Sequence, residues 1–292
     1  MSNLSSTISV VIPTLDRRHT LSRAINSVLK QTIPVNEIII IDNGSIDGTL
    51  DMLQLEFPMV RCVSQPKLGV SAARNMGISL ANSKWVALLD SDDAWTPTKL
   101  EKQIKKSNKN SNSRLIHTDE IWYRRGRRVN QMKKHKKRGG NIFEHCLPLC
   151  CISPSSVLMR KDLFEDIGLF DEELPVCEDY DMWLRISSRE PISYVDEPLT
   201  IKYGGHEDQL SSKLWGMDRF RVQSLEKLLN KKYLNFKQEN AVYEIMIKKI
   251  NILIQGGTKR GNTDIVDIYS EKLDFWEQKK TSGTSNKTLV PT

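Results

Sequence analysis

Three aspartates close an apolar segment near residue 90, and their types and spacing are the strongest chemical signal in the chain. Residues 85–89 are apolar, and Asp90, Asp92 and Asp93 follow them. A short apolar run between polar residues is typical of a strand that is buried on both faces. Carboxylates a few ångströms apart repel one another unless a cation balances them, and a hard divalent cation takes oxygen ligands. The segment therefore predicts a metal site at the end of a buried strand.

The elements that would position these aspartates alternate between strand and helix. Strands are predicted at residues 8–12, 37–41, 60–63 and 85–89, with amphipathic or small-residue helices between them. This alternation implies an α/β fold whose parallel sheet has helices on both faces. Ligands of such sheets bind beyond the carboxyl ends of the strands. Asp16, Asp42 and Asp90 each follow a strand, so we expect them to meet at one edge.

The rest of the chain divides into a mixed part and a helical part. Further strands are predicted at residues 115–123, 156–159 and 192–195, and helices at 161–167 and from Glu178. Residues from about 213 to 279 show helical periods alone, which predicts three helices with a turn at Gly256 and Gly257. We therefore expect an α/β domain over residues 1–210, a helical region over 211–280 and a disordered polar tail over 281–292.

The positive charge of the chain is confined to one segment. The chain has 292 residues and a net charge of +7. The segment that begins at Arg124 and ends at Arg138, here called the basic segment, holds nine Lys or Arg and no acid, so +7 less nine leaves −2 elsewhere. This distribution excludes a nucleic-acid-binding surface over the whole fold. The segment is a solvated loop, a binding site for an anionic acceptor such as a lipid-linked diphosphate sugar, or a docking surface for an anionic inner leaflet.

The cysteines and the hydropathy pattern indicate a cytoplasmic protein. The five cysteines are odd in number and irregularly spaced, which favours a reducing compartment. Cys146, Cys150 and Cys151 fit no standard zinc pattern, so we expect structural thiols. No apolar run approaches the roughly 18 residues that span a bilayer, and residues 1–9 lack the pattern of a signal peptide. The expected location is the cytoplasm, with peripheral contact at the inner membrane face as an open alternative.

Five motifs occur in one order and carry a family resemblance. They are ISVVIPT at residues 8–14, DNGSxDGT at 42–49, GVSAARNxGI at 69–78, LDSDD at 89–93 and EDxDxWL at 178–184. Over roughly residues 6–210, the chain closely resembles the family 2 inverting glycosyltransferases with the GT-A fold. The resemblance implies a Rossmann-like, nucleotide-binding mixed sheet flanked by helices. It also implies transfer of a sugar from a nucleotide-sugar donor to a hydroxyl of a glycan or a lipid-linked acceptor.

The resemblance assigns roles to individual positions. Asp179 would be the general base, with Glu178 as the alternative. Asp92 would bind Mn²⁺ or Mg²⁺ at the donor diphosphate, Asp90 would contact the ribose or the metal side, and His206 would be either a further metal ligand or a loop residue without that role. The expected nucleotide-sugar-binding residues are Pro13, Thr14, Asp16, Asp42, Arg74, Asp90 and Ser91.

The chemistry of these residue types agrees with that assignment. A cation at Asp92 would stabilise the leaving diphosphate, and a carboxylate at position 179 could take the proton of an acceptor hydroxyl. Asp42 could instead cap the turn at Gly44, and Arg74 could be a surface residue of its helix. A sugar nucleotidyltransferase is the first rival, but that class needs a glycine-rich loop after the first strand, and residues 13–17 contain no glycine. A non-catalytic sugar-binding protein is the second rival. UDP is the expected nucleotide, while the sugar and the acceptor stay open.

Overall fold

The computed structural model describes residues 7–110, 112–205 and 214–285. These residues form one sheet with helices packed on both of its faces. The strands are β1 (Ile8–Thr14), β2 (Glu37–Asp42), β3 (Arg61–Ser64), β4 (Trp85–Leu88), β5 (Ala94–Trp95), β6 (Leu115–Arg124), β7 (Arg127–Val129), β8 (Leu158–Arg160) and β9 (Ser193–Gly204). The helices are α1 (Arg18–Leu29), α2 (Thr49–Glu56), α3 (Val70–Leu80), α4 (Lys99–Lys109), α5 (Phe143–Cys146), α6 (Leu163–Ile167), α7 (Glu178–Ser187), α8 (Met217–Asn230), α9 (Phe236–Lys259) and α10 (Thr263–Ser285).

The first half of the sheet is parallel, as the alternation of strand and helix predicts. Its strand order is β3-β2-β1-β4, and every pair in it is parallel. β1 and β2 consist of buried β-branched residues because helices cover both faces. Their register places Thr14 opposite Asp42 at the carboxyl edge. Asp16, Asp42 and Asp90 therefore follow three neighbouring strands at the same edge, as expected.

The second half makes the sheet mixed. β8 lies antiparallel between β4 and β6, β9 lies parallel to β6, and β5 pairs antiparallel with β9. The parallel arrangement predicted from the first four strands therefore ends at β4, and the mixed, GT-A-like sheet that the resemblance implies is confirmed. β9 runs twelve residues, from Ser193 to Gly204, well past the strand predicted at 192–195. Its length brings residues 200–204 back to the carboxyl edge of β4.

The C-terminal helices share the core on one face of the sheet. Val242, Met246 and Ile250 of α9 belong to the same buried cluster as Val11 of β1 and Trp183 of α7. Each fully buried side chain of this kind contributes about 1.5–3 kcal/mol relative to exposure. The helical region is therefore packed onto the α/β part through a continuous apolar interface.

Three C-terminal helices are present as predicted, but two boundaries differ. Gly256 and Gly257 lie inside α9, and the chain turns around Gly261, whose φ is +67°. The prediction of a turn at the paired glycines was wrong because apolar packing on both sides carries the helix through them. α10 continues to Ser285, so residues 281–285 are helical where disorder was expected. None of the helices within the described ranges is long and apolar enough to cross a membrane.

Candidate active site

The loops after β1 and β2 are joined into one rigid unit. The buried carboxylate of Asp42 accepts the backbone N–H groups of Gly44, at 3.1 Å, and Ser45, at 3.2 Å. Asp16 Oδ1 accepts the N–H of Ile46 at 2.8 Å, and Asp16 N donates to Ser45 Oγ at 2.9 Å. The turn-capping role of Asp42 is thus present, and its contact with a nucleotide base stays a prediction.

Two further groups line this unit. Pro13 and Thr14 are buried at the end of β1, and Thr14 Oγ1 has no hydrogen-bond partner among the residues described. A buried hydroxyl without a partner is uncommon in folded proteins. It is therefore a candidate contact for a ligand at this edge. Asn43 supports the same edge by donating to the carbonyl groups of Gln65 and Lys67, so the loops after β2 and β3 are also joined.

Arg74 joins the two acidic motifs of the sequence. It projects from α3, is 3% exposed, and is not the surface residue considered as one alternative. Its Nη2 lies 2.8 Å from Asp90 Oδ1, and its Nη1 lies 2.6 Å from Glu178 Oε1. The acidic loop after β4 and the acidic start of α7 therefore lie on either side of one guanidinium, and the region where they meet is here called the crevice.

The two acids that share Arg74 are in different protonation environments. Burial alone would raise the pKa of Asp90, but Arg74 and Lys202 hold it below its ordinary value. For Glu178, burial and the nearby charge of Asp179 raise the pKa to about 7 despite Arg74. Asp90 is therefore the ionised partner of the arginine, while Glu178 keeps its proton up to near neutral pH.

Asp93 is a structural acid of the loop. It is 1% exposed, its Oδ2 accepts Ser155 Oγ at 2.6 Å and Lys202 Nζ at 2.9 Å, and its Oδ1 accepts the N–H of Tyr203 at 3.1 Å. Burial, partly offset by Lys202, raises the pKa of Asp93 to about 7. These bonds attach the loop after β4 to β9 and give both oxygens of Asp93 a partner within the protein.

Asp92 is the acid of this loop for which the described residues provide no direct ion pair. Burial and the charge of Asp90 raise the pKa of Asp92, and it forms no ion pair within the parts of the chain that the structure describes. Its position is fixed through the backbone, because Arg23 Nη2 donates to Asp92 O at 2.6 Å. Ser91, between the two acids, is buried. A partly exposed carboxylate that is near Lys202 and Arg17 but in no direct ion pair over the described ranges can bind a divalent cation.

The donor set fits a cation that is completed by a substrate. Over residues 7–110, 112–205 and 214–285, no three His, Cys, Asp or Glu side chains converge as ligands. Mg²⁺ is commonly held by one or two carboxylates together with substrate phosphates and water. Asp92, with Asp90 beside it, matches that pattern, and binding of Mn²⁺ or Mg²⁺ stays a prediction. His206 lies outside the described residues.

Asp179 stands at the first turn of α7 with a partly exposed carboxylate. Its Oδ1 accepts the N–H of Tyr180 at 2.7 Å, and its Oδ2 lies 3.2 Å from Cys150 Sγ. Asp181 pairs with Arg185 at 2.8 Å within the same helix and is a structural acid. Asp179 is thus better placed than Glu178 to contact a molecule in the crevice, because the carboxylate of Glu178 is paired with Arg74.

The basic segment forms a hairpin and the loop after it. β7 pairs antiparallel with the end of β6, as expected for a hairpin. Eight of its nine Lys or Arg side chains are exposed, and the exception is Lys137. Lys137 Nζ lies 3.2 Å from the buried Glu120 Oε2. This pair anchors the segment to β6, so the eight exposed charges project from a fixed base.

Several residues of the site were not found from the sequence. Lys202 is a lone charge in the apolar stretch 199–203, a signal that could have marked it. Arg23 occupies an ordinary position on an amphipathic helix, and its guanidinium also lies 3.7 Å from the ring centre of Tyr203. Ser155 and Cys150 carry no local signal because their partners are distant in the chain.

Comparisons with known proteins identify the family and the fold. The sequence model of the family described as Glycosyl transferase family 2 matches residues 9–168, more than half of the chain. An uncharacterized glycosyltransferase of Rickettsia conorii, RC0461, is 31% identical over 214 residues, which are 71% of this chain and 35% of that protein. The chain thus spans about a third of the length of the first curated relatives it matches.

Two other relatives have more specific names. The Escherichia coli protein WfgD, a UDP-Glc:alpha-D-GlcNAc-diphosphoundecaprenol beta-1,3-glucosyltransferase, is 29% identical over 191 residues, covering 65% of this chain and 73% of WfgD. The crystal structure of S. aureus TarS 1-349 in complex with UDP-GlcNAc superposes with a TM-score of 0.62 at 17% identity, covering 94% of this chain and 92% of that one. At that identity, the TarS likeness concerns the fold alone.

Proposed function

The chain belongs to glycosyl transferase family 2, and on that premise we propose that it moves a sugar from a UDP-sugar to a hydroxyl of a glycan or lipid-linked acceptor, with inversion, in polysaccharide or glycoconjugate synthesis. The observation that carries this proposal is the crevice in which Arg74 joins the acidic loop after β4 to the start of α7. The printed name of WfgD, with a UDP-sugar donor and a diphosphoundecaprenol acceptor, supports the substrate classes.

The donor would lie along the carboxyl edge of β1, β2 and β4. Thr14 and Asp42 would contact the nucleoside, because Thr14 Oγ1 has no partner and the two residues are neighbours in register. Asp16, Arg74, Asp90 and Ser91 would line the same path. A Mn²⁺ or Mg²⁺ ion held by Asp92 and the donor would offset the charge that grows on the diphosphate as it leaves.

Asp179 is proposed as the base. As the bond between the anomeric carbon and the diphosphate breaks, the acceptor oxygen forms its bond to that carbon from the opposite side, and its proton passes to Asp179 Oδ2. The diphosphate leaves with the electron pair of the broken bond, so charge and atoms balance. Glu178 is the weaker candidate, because its carboxylate lies 2.6 Å from Arg74 and has its own charge partner.

Release of UDP from a panel of UDP-sugars, with Mn²⁺, Mg²⁺ or EDTA, tests the proposal. We expect hydrolysis of one donor that EDTA abolishes, strong loss in Asp92→Asn and Asp179→Asn, and an inverted product once an acceptor is found. Activity of Asp92→Asn equal to that of the wild type would refute the metal site. Formation of pyrophosphate from UTP and a sugar 1-phosphate would instead support the rival nucleotidyltransferase.

We further propose that the basic segment contacts an anionic membrane surface beside the crevice. It holds eight exposed cations and Met132, which is 57% exposed, and it begins at the end of β6, the strand that pairs with β9. Each basic residue near an anionic membrane contributes about 1 kcal/mol. Because the rest of the chain has a net charge near −2, this face would be the one that turns toward the lipid.

Vesicle co-sedimentation separates this contact from a purely solvated loop. Replacing Arg124, Arg125, Arg127 and Arg128 with Gln should release the protein from phosphatidylglycerol vesicles, whereas phosphatidylcholine vesicles bind neither form. The matched control replaces exposed lysines elsewhere with Gln and has the same net charge. Its members are Lys30, Lys84, Lys106 and Lys109. Equal loss in both variants would mean that overall charge, and not this surface, determines binding.

A further inference from the structure

A cysteine outside the family motifs touches the proposed base. Cys150 lies in the loop between α5 and β8, and its Sγ is 3.2 Å from Asp179 Oδ2 and 3.1 Å from Ile152 O. The other oxygen of Asp179 accepts the N–H of Tyr180 at 2.7 Å. Both carboxylate oxygens are therefore held, one by the backbone of α7 and one by the thiol. This arrangement fixes the rotation of the carboxylate about the Cβ–Cγ bond.

The loop that carries Cys150 is itself fixed at several points. Tyr180 Oη donates to Leu147 O at 2.6 Å, and Lys249 Nζ donates to Pro148 O at 2.7 Å. Lys249 is only 5% exposed and reaches the loop from α9. On the other side of Cys150, Cys151 is buried with its Sγ 2.9 Å from that of Cys146. The position of the Cys150 thiol is thus set by α7, by the C-terminal helices and by the apolar core.

Cys150 carries its proton and can donate it in a hydrogen bond. Burial and the charge of Asp179 raise the pKa of the Cys150 thiol well above its ordinary value. A thiol has one proton, and an ionised carboxylate is a stronger acceptor than a neutral carbonyl. The thiol therefore donates to Asp179 Oδ2 while that carboxylate is ionised, and Ile152 O is within reach when the carboxylate is protonated.

An oxygen of a carboxylate has two acceptor positions, so the bond from Cys150 leaves room for a substrate hydroxyl at Oδ2. We infer that Cys150 is a positioning residue for transfer. Its thiol holds Asp179 in the orientation that receives the proton of the acceptor, and the S–H donates to Ile152 O instead once that proton has arrived. This inference rests on the proposed role of Asp179 as base. It also assigns a task to the C-terminal helices, since Lys249 holds the loop in place.

Steady-state release of UDP from UDP-glucose or UDP-GlcNAc, whichever the panel identifies, tests the inference. Cys150→Val has a side chain of similar size without a hydrogen-bond donor. We expect kcat to fall about three- to ten-fold, the range for loss of one weak hydrogen bond. The KM for the UDP-sugar should change less than about two-fold, because binding of the UDP-sugar does not involve the contact between Cys150 and Asp179. Cys150→Ser, which restores a donor, should recover most of the rate. The controls are Cys146→Ala, buried in the same loop region, and Cys62→Ala, on the surface.

The outcomes separate this inference from the function on which it rests. Wild-type kcat in Cys150→Val, together with an inactive Asp179→Asn, overturns the role of Cys150 and leaves the base in place. An active Asp179→Asn overturns the base and the inference together. A fall in kcat that Cys150→Ser fails to recover, or that Cys146→Ala reproduces, reveals a structural effect and also overturns the inference. Melting temperatures of all variants, measured with the rates, ensure that kcat is compared among folded proteins.

Discussion

Replacing Arg74 with methionine removes a positive charge that the buried Glu178 and the partly buried Asp90 share. Methionine fills part of the space of the arginine stem without its charge, so Asp90 and Glu178 lose their bonds of 2.8 and 2.6 Å. Removing one partner of a buried ion pair costs about 3–5 kcal/mol, because the remaining charge lies in a medium that solvates it poorly. The structure reduces this cost in two ways: Lys202 Nζ stays 3.8 Å from Asp90 Oδ2, and Glu178 can keep its proton. We therefore expect a loss near the lower end, about 3 kcal/mol.

The stability that Arg74→Met loses should depend on pH and on the presence of Glu178. Because burial raises the pKa of Glu178 to about 7, the acid is mostly protonated at pH 6 and ionised at pH 8. Arg74→Met should therefore destabilise the protein more at pH 8 than at pH 6. Adding Glu178→Gln removes the unbalanced acid, so the double variant should recover about 1 kcal/mol at pH 8 relative to additive costs.

Urea unfolding followed by circular dichroism measures these differences. The matched control is Arg114→Met, because Arg114 also bridges two acids, Asp166 and Glu190, but near the surface, where Asp166 is 61% exposed. That variant should lose less than about 1 kcal/mol. If Arg74→Met costs no more than the control, or if its cost is the same at both pH values, the account of Arg74 as the charge that joins the two motifs is wrong.

Three further substitutions test other parts of the structure. In Gly77→Ala, the new Cβ would overlap the side chain of Val11, so urea unfolding should show a loss of about 1–3 kcal/mol; wild-type stability would mean that α3 does not pack so tightly on β1. The pKa of Glu178 is about 7 in the folded protein against an ordinary 4.5, so the folded form holds a proton that the unfolded form has lost, and stability falls as pH rises through this window. Glu178→Gln should flatten that fall between pH 5 and 7.5. Parallel curves of unfolding free energy against pH for the variant and the wild type would contradict the raised pKa. Lys249→Met removes a buried ammonium that also lies 2.9 Å from Asp218. We therefore expect a lower melting temperature together with a lower kcat for UDP release. A lower melting temperature with unchanged kcat would mean that α9 does not affect the active site.

Patterns within short stretches of sequence were enough to predict the first half of the sheet. The runs in β1, β2 and β4 are apolar because both faces of each strand are covered, and that requirement can be seen in the residues themselves. The positions of Asp42 and Asp90 after these strands follow from the same reasoning. The hydrophobic period also predicted three C-terminal helices, but it could not exclude a turn at Gly256, where packing decides against the weak helix propensity of glycine.

The sequence by itself determined the four strands of the parallel half and the acids that follow them, because a strand's burial and the residue that ends it are local properties. Only the tertiary structure decided which charges are paired: Arg74 with Asp90 and Glu178, Lys202 with Asp93, and the Cys150 thiol with Asp179. These partners lie between 16 and 109 residues apart. Their meeting depends on how β9, α7 and the C-terminal helices pack against the sheet, and that packing is a sum over many apolar contacts that no single motif records.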